Sequence, residues 1–255
     1  MSDAKSDLSR SIKRTLEVLE FFDTDHPTVS VSGISRALGY PQSSTSILLK
    51  SLAELGYLHY DRQNRTYRPT ARVALLGRGV QSYLFGNGSV MSALEEVSQR
   101  TGELTLLAAP AGIVVQYIHV IPATNPIRMH LRTGAVRPMI GSAAGHLFLS
   151  ARPDKELEEE IARLDLTQGE HLIGRDELKK QIRRIRRRGY AISTNTVTPG
   201  GGIVAMLLPG QFNGTPLAIG IGGVADMITS NEQRFVAIMG EAIARHIEPL
   251  IARAG

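Results

Sequence analysis

SVSGISRALGYPQSSTSILLKSLAELGYLHYDRQNRTYR, residues 30–68, is the stretch on which the fold turns. Ser32 can cap a short helix in which Ile34, Ala37 and Leu38 fall at i, i+3 and i+4, and Gly39 stops it. Pro41 opens a second helix that runs to about Leu55 and is closed by Gly56. At about 100° per residue, Thr45, Leu48, Leu49, Leu52 and Leu55 share an inward stripe, whereas Ser43, Ser46, Ile47 and Lys50 look outward. Tyr57 to Tyr60 and Arg65 to Arg68 then form a hairpin about Asp61-Arg62-Gln63-Asn64, with Asn64 expected to take the positive φ of the turn.

In that order the elements spell a winged helix-turn-helix. A recognition helix needs small or hydrogen-bonding side chains near its start, so that it can sink into the major groove and reach base edges. Gln42, Ser43, Ser44 and Ser46 meet that need. Arg62, Arg65 and Arg68 on the hairpin suit phosphate or minor-groove contacts, although a solvated cationic hairpin would look the same in isolation. What favours double-stranded DNA as the partner is that each part fits its own place in a single motif.

Working outward, 255 residues with 42% hydrophobic content are enough for two units, each with a core. A net charge of +5 favours a polyanionic partner modestly, being spread along the chain. With no cysteine, disulfides, thiolate zinc sites and cysteine nucleophiles are excluded, and a cytoplasmic setting is the default. The apolar stretches near Leu106 to Ile118 and Ile203 to Leu208 are broken or too short to span a bilayer, so no membrane role is expected. His119, His130, His146 and His171 show no metal-ligand spacing. Without a nucleophile elbow or paired carboxylates either, no metal, cofactor or enzymatic activity is expected.

Residues 1–8 read as a loose lead before a helix bearing Ile12, Leu16, Leu19 and Phe22. Beyond Pro69, Val73, Leu76, Val80 and Leu84 give a linker helix whose apolar face packs on its own domain or on a second copy, and Gly86-Asn87-Gly88 is a hinge. The boundaries are then 1–70 for the winged helix, 71–88 for the linker and 89–255 for a second domain. That domain opens on a helix with Val90, Leu94 and Val97 that ends at Thr101-Gly102. Strands are expected at Thr105–Ala109, Ile113–Val120, Ile127–Leu131, Ile203–Leu208 and Leu217–Ile221, with hairpin turns at Ala111-Gly112 and Asn213-Gly214. Helices are expected at Ala143–Ser150, Asp154–Leu164, Asp176–Arg188 and Asn231 to about Arg253. The fold class is α+β with a largely antiparallel sheet. Lys179 to Arg188 is strongly basic, but Ile182 and Ile185 make it one amphipathic helix with a solvated face.

The chain resembles the IclR family of bacterial transcriptional regulators. The resemblance rests on Arg14-Thr15-Leu16-Glu17-Val18-Leu19, Leu38-Gly39-Tyr40-Pro41 and Leu52-Ala53-Glu54-Leu55-Gly56-Tyr57 in the first domain. In the second it rests on Arg100-Thr101-Gly102-Glu103, Ser142-Ala143-Ala144-Gly145-His146-Leu147-Phe148-Leu149 and Arg188-Gly189-Tyr190-Ala191 leading to Pro199-Gly200 and Ala205. It implies a GAF-like effector-binding domain, dimers that often pair into tetramers, and control of nearby catabolic genes by a small metabolite. The family often has basic residues at the places of Gln42 and Ile47. Here affinity would lean on Lys50 and the hairpin arginines, leaving the seryl hydroxyls and Ile47 for groove contacts such as a thymine methyl.

The resemblance also implies an effector pocket lined by Ile127, Met129, Ala143, Ala144, Ser193, Ile203, Gly220 and Gly222. Ser142, Ser193 and the N–H groups opening the Ala143 helix are its candidate carboxylate anchors, ahead of His146 and Arg132. Where the family often has cysteine, small hydroxyls and an acid, this chain has Ile203, Gly220, Gly222 and Thr196, which suggests a larger, more apolar site suited to an aromatic acid. Gly200-Gly201-Gly202 reads as a mobile loop over it. The resulting expectation is a ligand-responsive regulator, a repressor rather than an activator, acting as a homodimer or dimer of dimers on a pseudo-palindromic operator. The alternatives are a constitutive or architectural DNA binder whose second domain only oligomerises, and a small-molecule enzyme with a DNA-binding module.

Overall fold

The computed structural model describes residues 2–23, 26–77, 88–126, 128–168, 173–212 and 214–249. The chain divides into two compact units, Met1–Gln81 and Ser82–Gly255.

The first unit opens with α1 (Ser2–Glu20), so the expected loose lead is helical from Ser2. Val18 is its fully buried residue, whereas Ile12 (54% exposed) and Leu16 face outward, against the expected stripe. The core beneath α1 takes Val18, with Leu19, Phe21 and Phe22 packed against it, and of these Leu19 and Phe22 belong to the expected stripe. β1 (Val29–Ser30) leads directly into α2 (Val31–Leu38). The cap of α2 is Ser30, not Ser32: its hydroxyl accepts from the Gly33 N–H at 3.1 Å. Pairing of β1 with a later strand ends at Ser30, which fixes where the helix begins. Gly39, in the left-handed region, ends α2.

In α3 (Gln42–Glu54), Thr45, Leu49 and Leu52 are buried, but Leu55 is 58% exposed because the helix stops one residue before it. β2 (Leu58–Asp61) and β3 (Thr66–Pro69) form the hairpin, and β1 joins them in the order β1-β3-β2. Val18, Ile34, Leu49, Leu52, Leu58 and Tyr67 make up the buried core. At about 1.5–3 kcal/mol for each large apolar side chain removed from water, so small a set leaves little reserve. α4 (Ala71–Leu76) is capped by the Thr70 hydroxyl. Val73 and Leu76 of the expected linker fall in α4, and Gly88 of the expected hinge precedes the next helix, whereas residues 78–87, with Val80, Leu84, Gly86 and Asn87, lie outside the described residues.

The second unit begins with α5 (Ser89–Thr101), which buries Val90, Ala93, Leu94 and Val97 and ends on a left-handed Gly102. Its strands are β4 (Leu104–Ala111), β5 (Val114–Ile121), β6 (Val136–Pro138), β7 (Tyr190–Thr194), β8 (Gly201–Leu207) and β9 (Ala218–Val224). They form one antiparallel sheet in the order β6-β5-β4-β9-β8-β7. The expected strand at Ile127–Leu131 is absent: residues 128–131 are irregular, Ile127 lies outside the described residues, and β6 pairs with β5 instead. The edge strand β7 escaped the sequence reading. Asn213 of the expected turn is also outside the described residues, though Phe212 and Thr215 bridge across it.

Alternation along the strands sends side chains to two cores. Leu104, Leu106, Ala108, Val115 and Tyr117 meet α6 (Ala143–Ser150), α7 (Asp154–Gln168) and α8 (Arg175–Arg188) on one face. Leu107, Val204, Ile219 and Ile221 meet α5 and α10 (Glu232–His246) on the other. A short helix, α9 (Ala225–Ser230), not foreseen, joins β9 to α10. The expected reach of that last helix to Arg253 falls outside the described residues. Gly145 marks the closest approach on the α6 side, where a Cβ would lie 2.0 Å from the Met139 carbonyl oxygen.

Candidate functional site

An open groove of about 670 Å³ runs between α3 and the β2-β3 hairpin. Gln42, Ser46 and Lys50 line it from α3, Arg62 and Arg65 from the hairpin, and Ser30 and Ser32 from the start of α2. Its charge is positive, since Lys50, Arg62 and Arg65 face one carboxylate, Glu54. The hairpin tip is set by Asp61, whose carboxylate accepts from the Gln63 N–H (2.8 Å), the Asn64 N–H (3.1 Å) and the Asn64 side-chain amide (2.8 Å). The Asn64 amide chiefly holds the Asp61 carboxyl below the usual range. With Asn64 tied to Asp61 by two bonds, the positive φ falls on Arg65 (54°) instead.

Not every expected DNA contact reaches this groove. Ser43 is exposed at the start of α3 without lining it. The Ser44 hydroxyl donates to the Pro41 carbonyl at 3.0 Å, and Ser44 and Ile47 line a separate depression against Ser11 and Arg14 of α1. Ile47 is 67% exposed and presents a bare apolar surface on the outer side of the helix. Tyr60 and Tyr67 line the groove, so alternation puts Arg68, which pairs with His59, on the opposite face of the hairpin. Ser30, Ser32 and Tyr60 were missed because only the fold brings the α2 cap beside the wing.

In the second unit, a cavity of about 20 Å³, room for a single water, lies on the α6 side of the sheet. Met129, Ser142, Ala143, Ser193 and Ile203 line it, together with Tyr117, Leu131, Arg137 and residues 196–198 and 201–202. Walls from β5 and β6 and from β7 and β8 show how far the sheet curls. Ala144, Gly220 and Gly222 do not line it. Leu106 packs over Gly220, and Leu104 and Met129 pack over Gly222. Gly201 and Gly202 belong to β8 rather than to a loop.

The site is therefore small where the sequence suggested a large one. A Cβ built on Gly201 would be 3.1 Å from Met129 Sδ, and one on Gly222 would be 3.2 Å from Met129 Cε. The methionine fills the room that the glycines leave.

The expected anchors divide. Ser142 caps α6: its hydroxyl accepts from the Gly145 N–H (3.2 Å) and donates to the Pro138 carbonyl (2.7 Å), so its proton is already committed. That leaves the N–H groups of Ala143 and Ala144 as orphan donors of the first turn. His146 Nε2 accepts from the Gly141 N–H at 3.0 Å, and burial pushes its imidazole down to about 4, making it a neutral core residue outside the cavity. Arg132 is exposed and does not line it. Among the described residues no group of three or more His, Asp or Glu could hold a metal ion, and no helix is long and apolar enough to cross a membrane.

Residues 11–62 match the IclR helix-turn-helix domain, and residues 88–248 match the C-terminal domain of bacterial IclR transcriptional regulators. The chain belongs to the IclR family. As an IclR-family member it is a DNA-binding transcriptional regulator, with the α+β architecture of an N-terminal helix-turn-helix and a C-terminal effector domain. It is 25% identical over 199 residues to the regulator XynR of Escherichia coli, covering 77% of this chain and 79% of that one. It is 25% identical over 241 residues to the E. coli repressor AllR (92% and 86%) and 24% identical over 241 residues to the Pca regulon regulatory protein of Pseudomonas putida (91% and 81%). The Thermotoga maritima IclR structure matches with a TM-score of 0.66 at 24% identity, over 93% of this chain and 98% of that one. An IclR homologue from Microbacterium hydrocarbonoxydans, solved with 4-hydroxybenzoate, matches with 0.70 at 21% identity (92% and 96%). Likeness at these identities shows the fold.

Proposed function

We propose that this IclR-family regulator is a repressor of catabolic genes released by an aromatic acid or a related small metabolite. The observation that carries it is the cavity at the start of α6, with apolar walls at Met129, Leu131 and Ile203 and polar groups at Arg137 and Ser193. Apolar walls with a few placed polar groups are the chemistry by which a protein binds a partly apolar small ligand, and the recess has to widen beyond its 20 Å³ to admit one. The Pca regulon regulator and the homologue solved with 4-hydroxybenzoate support the choice of class.

On the DNA side, Lys50, Arg62 and Arg65 hold phosphates while Gln42 and Ser46 meet bases, and Ile47, outside that groove, offers an apolar contact from the outer side of α3. Residues 71–88 connect the units, and exposed Leu75 and Leu76 on α4 favour pairing with a second copy across a pseudo-palindromic operator. The setting is the cytoplasm, with no catalytic step.

The test is binding of the purified protein to DNA upstream of its own gene, with and without a panel of aromatic acids. A cognate acid at 100 times its Kd adds about 2.7 kcal/mol of stability, which raises Tm by roughly 5–10 °C for a domain of this size, and it lowers operator affinity. If no acid does either, the constitutive reading replaces this one.

A further inference from the structure

We infer that Arg137 is the residue that makes this pocket selective for an anionic effector, gripping its carboxylate, and that Met129 is the side chain the effector displaces. The inference rests on the ligand-responsive reading above and names the chemistry of that same cavity.

Arg137 sits on β6 opposite Val115 of β5, so it shares the sheet face of Val115 and Tyr117 and looks toward the cavity. Its guanidinium lies 5.6 Å from the centre of the Tyr117 ring, and Nη1 donates to the Val136 carbonyl at 2.8 Å. Among the described residues no carboxylate pairs with it, and none lines the cavity. A guanidinium has five N–H donors in a planar fork that matches a carboxylate, so most of this one's donors lack an acceptor of opposite charge.

Beside it, Tyr117 is only 1% exposed and lines the cavity. Burial pushes that phenol up to about 12, so it stays a neutral donor. Ser193 adds a further hydroxyl to the wall. A cation and two hydroxyl donors with no acid between them suit an anion and leave a neutral ligand with little to offer in return.

Size decides the second half. An aromatic ring needs a cavity on the order of 150 Å³, against the 20 Å³ present. Tyr117, Ile203 and Gly201 are fixed by strand pairing, whereas Met129 lies on an irregular segment and rests against Gly201 and Gly222. An unbranched thioether changes rotamer at little cost. When it swings out, the glycine floor beneath becomes the ligand's seat.

The test measures binding of benzoate and hydroxybenzoates against their primary amides by calorimetry, on the full chain, for the parent, Arg137→Gln and Met129→Ala. The expected result is a preference of roughly tenfold or more for acid over amide in the parent, lost in Arg137→Gln, with tighter binding of both classes to Met129→Ala. An acid-to-amide ratio at or below one in the parent overturns the inference without any variant, and leaves the ligand-responsive reading standing. An unchanged ratio in folded Arg137→Gln does the same. If neither class binds the parent or Met129→Ala, the ligand-responsive reading falls and takes this inference with it.

Discussion

Replacing Gly145 by alanine tests the packing on which the pocket depends. The added Cβ would sit 2.0 Å from the Met139 carbonyl oxygen and 2.7 Å from its carbonyl carbon, both well short of the 3.4–4 Å of ordinary contact. Both sides of the clash are backbone, so no side chain can rotate away. The segment 139–142 and the first turn of α6 have to part, which pulls on the Ser142 hydroxyl between the Gly145 N–H and the Pro138 carbonyl. Overpacking costs about 1–3 kcal/mol and a lost N-cap about 1 kcal/mol, so about 3 kcal/mol is expected. For a unit of this size that lowers Tm by roughly 6–12 °C. Scanning calorimetry would read it, with Gly240→Ala as the control. At Gly240, inside α10, a Cβ meets nothing within 4 Å, and a gain of roughly 0.5–1 kcal/mol is expected from helix propensity. If Gly145→Ala melts within 2 °C (about 1 kcal/mol) of the parent, the account of α6 is wrong.

Two further predictions concern pH and DNA. His146 is buried neutral with its imidazole held down to about 4, so the stability it supports is present above the unfolded value near 6.5 and drains as pH falls through that window. Chemical unfolding from pH 7 to pH 4 should show a loss on the order of 3 kcal/mol that His146→Gln removes. Glu103 pulls the other way: burial raises its carboxyl against the Asn125 bond, so its contribution is full at low pH and is lost as pH rises. On the DNA side, Arg65→Ala should weaken binding to all sequences alike and flatten the salt dependence by about one unit. Arg65→Gly, which suits the positive φ, should match it in DNA binding, and an unchanged salt slope in both would remove the wing from the interface.

What the sequence made legible is what local chemistry decides. Gly39, Pro41 and the Thr45-Leu49-Leu52 stripe each act through neighbours within a turn or two, and α2, α3 and the hairpin followed from them. Arg137 was invisible because its side of the sheet depends on β6 pairing with β5 at Val115, and a three-residue strand leaves no alternation to read. Gly220 and Gly222 were misread for the same kind of reason. A missing side chain looks like empty space in a sequence, but Leu106, Leu104 and Met129 arrive from elsewhere in the chain to occupy it. At the hairpin tip, competition between Asn64 and its neighbour for the left-handed position was settled by Asp61, a partner the turn rules did not weigh.

The division of the effector unit into two cores bears on how a regulator of this design is heard. The cavity opens on the face packed by α6, whereas α5, the helix by which the unit begins, is packed on the opposite face with α10. β4 carries Leu104 and Leu106 toward one core and Leu107 toward the other, so the central strands are a shared wall, and on the proposed function a substitution in that wall that touches neither effector nor DNA is where the response to an effector can be tuned.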